Sequence, residues 1–195
     1  MLRKLLLSLP LLILLSACDL TLNDLPAILD HYEQNKQLLL NEDQWGMFLR
    51  RNNPAAEALI PRFLTLAADH GISVVQLDLS SEKLLGRYIA SHNMILLGTN
   101  YGSEAILSSL VHELAHACSL KGHETQTEAE IIAESISWLT LAGVKDLHSS
   151  DATITYLVFM APSGTRRRVY ENEDFRRVIE GCVKDLKSAL PGGND

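Results

Sequence analysis

His112-Glu113-Leu114-Ala115-His116 is the stretch of this chain whose residue types and spacing could do chemistry. Two imidazoles at i and i+4 stack on one face of a helix about 6 Å apart, close enough for both to reach one ion. Glu113 lies beside the first of them. A zinc ion held by such side chains acidifies water toward a pKa of ~7 and polarises a carbonyl, and a neighbouring carboxylate can take the proton as the oxygen attacks. The segment is therefore expected to hydrolyse peptide bonds, with one Zn2+ on His112 and His116 and Glu113 as general base. Its surroundings agree: Val111, Leu114, Ala115, Ala117 and Cys118 are uncharged, and neither Gly nor Pro interrupts the run.

A catalytic zinc takes three protein ligands and leaves one position open. Glu128, Glu130, Glu134 and His123 are the candidates for the third. If the motif helix and the next one run antiparallel about a turn near 122–125, the two histidines face the segment from Ile131 to Ser135. Glu130 and Glu134 flank that level on one face. Ile131-Ile132-Ala133 and Ile136 make the segment apolar, where two carboxylates are costly unless a cation or a donor compensates them. Glu128 stands three residues after Thr125 and is better read as a helix-capping residue, and His123 lies past Gly122, in a loop. Spacing alone leaves Glu130 and Glu134 both open.

These side chains need a scaffold. Helical spacing runs from Leu29 to Arg51 until Asn52-Asn53-Pro54 stops it, and again from Ala55 to His70, with Pro61 starting a fresh turn and Gly71 placed to cap the end. Ile72 to Leu79 reads as a strand. Arg87 to Ala90 and Met94 to Gly98, parted by Ser91-His92-Asn93, read as a hairpin. A helix opens at Ser103, carries the motif and ends near Leu120. The next begins at the capping-box spacing Thr125/Glu128 or Thr127/Glu130 and runs to Ala142. Two more follow, at Ser150 to Ala161 and Glu173 to Ala189. The fold class is α+β, a small, mainly antiparallel sheet followed by a helical half that carries the motif helix.

The motif together with Glu130-Ile131-Ile132-Ala133-Glu134 resembles the gluzincin arrangement, in which the next helix bears the third ligand as Glu-x-x-x-Asp or Glu-x-x-Ala-Asp. The metzincin pattern does not fit, because it needs Gly and His where this chain has Ser119 and Gly122. Val111 to Leu141, above all Ala133-Glu134-Ser135-Ile136-Ser137-Trp138, is also similar to a compact zincin-like group that includes phage-repressor-cleaving and antirestriction proteins. The gluzincin resemblance implies Glu130 as the third ligand and Glu134 as the carboxylate behind a histidine that orients it. In zincins a strand edge beside the motif helix pairs with extended substrate, and the candidate edge here is Met94-Ile95-Leu96-Leu97. A donor to the transition state is also expected, with Tyr101, His148, Tyr156 and Arg166 to Arg168 as candidates.

The N-terminus belongs to a different task. Met1-Leu2-Arg3-Lys4 is positive, and Leu5 to Leu15 is apolar but too short for a mature membrane span, so together they read as an export signal. Leu15-Ser16-Ala17-Cys18 resembles a bacterial lipobox, which implies cleavage before Cys18 and lipidation of it. Asp19 resembles the enterobacterial signal for inner-membrane retention. The expected organisation is a signal peptide at 1–17, an anchor and spacer at 18–28, and one zincin-like domain at 29–195. The site would then sit in the bacterial cell envelope, facing the periplasm or the exterior, where Cys118 and Cys182 can pair. The net charge of −7, with Arg166-Arg167-Arg168 the only basic run, argues against a nucleic-acid partner. The partners expected are a protein or peptide substrate and the membrane; the alternative is a non-catalytic zinc-binding lipoprotein that uses the fold for recognition.

Overall fold

Two antiparallel helices form the centre of the molecule: α4 (Ser103–Ser119), with the histidine motif, and α5 (Gln126–Leu141), with Glu130 and Glu134. The computed structural model describes residues 20–79, 82, 84–119 and 125–192. The export signal, Cys18, Asp19 and His123 fall outside them. α5 starts at a capping box in which Thr125 Oγ1 accepts from the Glu128 amide at 3.3 Å and Glu128 Oε2 accepts from the Thr125 amide at 3.0 Å. This cap uses Glu128 and leaves Glu130 free to turn inward. From Ile131 to Leu141 every side chain of α5 except Glu134 is buried, Trp138 at 1% exposure. Burial on that scale fixes the helix rotation, and truncating Trp138 would cost ~3–5 kcal/mol.

Around this pair lie α1 (Leu25–Gln34), α2 (Glu42–Arg50), α3 (Pro54–Asp69), α6 (Ser149–Met160), α7 (Ser163–Glu171) and α8 (Glu173–Lys187). The sequence run expected as one helix from Leu29 to Arg51 is α1 and α2, parted by a short 3-10 turn, and α2 opens on a capping box of Asn41 and Gln44. Residues 20–27, expected as a spacer, are packed: Leu22 and Leu25 are buried, and α1 begins at Leu25. α3 keeps Pro61 inside it and ends as expected at Gly71, whose φ of 69° favours a residue without a side chain. The helical half holds one helix more than the periodicity suggests. Arg166 to Arg168, which fall between the last two helices expected, lie in α7: Arg166 is buried, donates to the Leu157 and Ala161 carbonyls at the end of α6, and pairs with Glu33, while Arg167 pairs with Glu171.

The sheet has three strands, β1 (Ser73–Leu77), β2 (Gly86–Ile89) and β3 (Met94–Gly98), in the order β1-β3-β2. β2 and β3 form the expected antiparallel hairpin, with Tyr88 opposite Ile95, but β1 runs parallel to β3, with Val74 opposite Ile95. The sheet is therefore mixed rather than mainly antiparallel. Alternation in a sequence reports which face a residue takes, not which way a distant strand runs. β3 is central, with Ile95 and Leu97 fully buried, so it is not the expected substrate edge; the edges are β1 and β2. Cys118 and Cys182 are joined, tying the end of α4 to α8 with their Cα atoms 6.0 Å apart. The chain is an α+β domain in which the mixed sheet precedes a mostly helical half.

Candidate metal centre

α4 presents His112 and His116 one turn apart, and α5 passes close enough to set Glu130 opposite them. The two Nε2 atoms are 3.0 Å apart. Glu130 Oε2 lies 3.4 Å from Nε2 of His112, and its Oε1 lies 3.6 Å from Nε2 of His116. Donors bound at ~2.0–2.1 Å in tetrahedral geometry are about 3.3 Å apart, so the three side chains already stand at the edge lengths of a coordination shell. Their ligand atoms all fall within 4.8 Å of one another, the one group of three or more His, Cys, Asp or Glu among the described residues that does so. His112, His116 and Glu130 can hold a metal ion.

Glu134 takes a different place. Its Oε1 is 3.1 Å from Nδ1 of His112, on the ring edge that faces away from the three convergent donors. The contact is an ion pair more than an aligned hydrogen bond, since Nδ1 lacks hydrogen-bond geometry to any partner. The two carboxylates that spacing left open are thus separated: Glu130 joins the group that could hold a metal ion, and Glu134 stands behind His112.

The electrostatics suit a cation. Burial pushes the His112 imidazole down, but Glu134 and Glu130, with Glu113 behind them, outweigh it and hold the ring well above the usual histidine value. Burial would raise Glu130, and the two imidazoles overrule it and hold its carboxyl well below the usual range. Three carboxylates surround two histidines, an excess of negative charge in a half-buried place that a divalent ion would balance.

Glu113 lines a cavity together with His112 and Glu134 and is tied to the sheet. It is 7% exposed, and its Oε2 accepts from the Tyr88 amide at 2.7 Å. The bond from the Gly98 amide to the Leu85 carbonyl sets the phase of the hairpin, so Gly86 and Tyr88 turn their amides away from β3 and toward α4. The edge strand therefore steers this carboxylate through its backbone. A Cβ on Gly86 would fall 2.5 Å from Ser109 Oγ and 3.1 Å from Glu113 Cγ, so only glycine lets strand and helix approach this closely. Burial raises the Glu113 carboxyl, and the pull of His112, His116 and the Tyr88 amide only partly offsets it. A carboxylate so placed takes up a proton more readily than an exposed one.

Of the donor candidates, only Tyr156 on α6 reaches the centre. It lines two cavities that flank the metal-binding side chains, one of about 240 Å3 with His112, Glu113 and Glu134, the other of about 140 Å3 with Glu130. Burial, and then the charges of Glu130, Glu134 and Glu113, push its phenol up to about 12. It stays protonated, and so remains a hydrogen-bond donor, throughout the physiological range. Tyr101 packs instead against the Phe48 cluster, His148 contacts Glu104 at the far end of α4, and the three arginines lie on α7. The Tyr88 amide was not foreseen, because a backbone donor carries no sequence signal.

Comparison of the chain with protein-family models, curated proteins and solved structures finds no match.

Proposed function

We propose that this protein is a zinc-dependent, zincin-like endopeptidase of the bacterial cell envelope, anchored to the membrane through lipidated Cys18. The observation that carries the reading is the pairing of a His112-His116-Glu130 ligand set with a buried carboxylate, Glu113, on the neighbouring residue of the same helix. A zinc ion held there would supply Lewis acidity, acidifying water and polarising the scissile carbonyl. Everything else falls to the chain. Glu113 takes the proton from the attacking water, with the Tyr88 amide fixing one of its oxygens so that the other stays free to act. Proton uptake needs a carboxyl whose affinity sits above the ordinary range, and burial supplies it. Glu134 holds the His112 ring from behind. Tyr156, a phenol kept protonated beside both cavities, is placed to donate to the oxyanion as charge develops.

Metal analysis of the mature protein should find about one zinc per chain. A membrane-proteome comparison should show cleavage products that disappear with Glu113→Gln, the rate falling ~10²–10⁴-fold while zinc stays bound. Zinc without any product dependent on Glu113 would replace this reading with that of a binding protein.

A further inference from the structure

The larger cavity beside the metal-binding side chains has a wall that hydrolysis itself does not require. One end is formed by His112 and Glu113. From there it runs along α4 past Ser108, one turn before His112, to a far wall of Trp45, Phe48, Leu84, Leu85 and Ala152. Its volume of about 240 Å3 is smaller than the ~300–1,000 Å3 of clefts for drug-sized ligands and suits a single side chain. Two features make the space. α4 presents two small side chains, Ser108 and Ser109, to the cavity, so little volume is taken up there. α2 contributes Trp45 and Phe48, whose rings pack on each other with centroids 5.8 Å apart.

The chemistry of the wall decides what fits. Among the described residues no Lys or Arg lines the cavity, and the only carboxylates, Glu113 and Glu134, lie at its inner end. An acidic side chain would meet those charges, and a basic one would carry its head into an apolar wall with no acid there to meet it. An aliphatic or aromatic side chain exchanges water for Trp45, Phe48 and the two leucines. We propose that this cavity is the specificity subsite for a bulky apolar residue, such as Leu, Phe or Met, next to the bond held at the metal centre. The proposal rests on the peptidase reading and narrows its substrates to segments that carry such a residue.

The test uses zinc-loaded mature protein and calorimetric titration with three succinyl hydroxamates. These differ only in the side chain next to the chelating group: methyl, isobutyl or benzyl. The isobutyl and benzyl compounds should bind at least about tenfold more tightly than the methyl compound. Ser108→Phe or Ser108→Leu fills the cavity and should bring that ratio close to one, with zinc content and melting temperature held. Trp45→Ala, which removes the far wall without adding bulk, should lower the ratio too. Equal affinity for all three compounds, or a ratio that survives every substitution, overturns the subsite. Failure of the underlying reading looks different: a protein that takes up no zinc, or one that binds neither acetohydroxamate nor the methyl compound, has no centre for a subsite to serve, and the proposal falls with it.

Discussion

Both ends of α4 bury carboxylates beside histidines, yet they are built for opposite purposes. At the C-terminal end, His112 and His116 turn their ring nitrogens toward one another and toward Glu130. At the N-terminal end, Glu104 is fully buried, its Oε1 accepts from the His148 backbone amide and lies 3.6 Å from Nδ1 of the same residue, and the Arg51 guanidinium is 3.9 Å from its Oε2. There the charge is met by a peptide group and an arginine, and nothing converges on an empty point. Glu104 instead fastens the start of α6 to the start of α4. Since α6 carries Ala152 and Tyr156, the clamp sets the distance across the cavity they line. A buried carboxylate therefore says little about function until the direction of its partners is known.

Crossed substitutions separate the two ends most sharply. If the group binds zinc as proposed, His112→Ala should lower zinc affinity by more than ~100-fold, beyond what losing an orienting partner costs, and leave the N-terminal clamp intact. Glu104→Ala leaves the His148 amide without its acceptor and should cost ~2–3 kcal/mol of stability, while the protein that remains folded keeps its zinc. Metal analysis alongside urea unfolding reads both. Zinc retained in His112→Ala, or lost from folded Glu104→Ala, would show that the two ends do not act separately.

The C-terminal end was legible because holding a metal ion from one helix would impose a rule on spacing. His112 and His116 had to share a helix face, and an antiparallel partner had to bring Glu130 or Glu134 to their level. What spacing could not decide was which carboxylate faces Nε2 and which Nδ1, because that depends on the rotation of α5, fixed by burial of Ile131, Ile132, Ile136 and Trp138. The hairpin was legible for a local reason, the turn at 91–93. The parallel pairing of β1, and with it the identity of the edge strand, was not, since direction is set by contacts distant in sequence. Arg166 to Arg168 were legible as a charge run but not as a helix, because no apolar periodicity marks α7, and Arg166 is buried because two carbonyls and Glu33 satisfy it.

A smaller change tests whether Glu134 belongs to the metal end at all. Glu134→Gln keeps the size of the side chain but removes the charge 3.1 Å from His112 Nδ1, and should weaken metal binding ~10–100-fold. Competition titration against a chelator reads the affinity. An unchanged constant would reduce Glu134 to a bystander and leave Glu130 as the only acidic contributor.

The smallest effect is expected at Asp151, in the first turn of α6, where the N-terminal clamp meets the rest of the molecule. Burial raises its carboxyl above the usual aspartate value; His148 pulls it down and Glu104 pushes it up again. Tyr32 registers the same charge, its phenol pushed up to about 12 by burial and by Asp151. An acid raised on folding binds its proton more tightly in the folded state. Its favourable contribution is therefore present below the unfolded value, declines as pH rises between the unfolded and folded values, and is gone above the latter. Asp151→Asn should accordingly match the parent near pH 3.5 and exceed it in stability at pH 7, by less than ~1 kcal/mol, with the gap opening as pH rises. Parallel curves of melting temperature against pH for the two proteins would mean that His148 and the start of α6 compensate the Asp151 charge fully, and that the clamp end of α4 carries no net electrostatic cost.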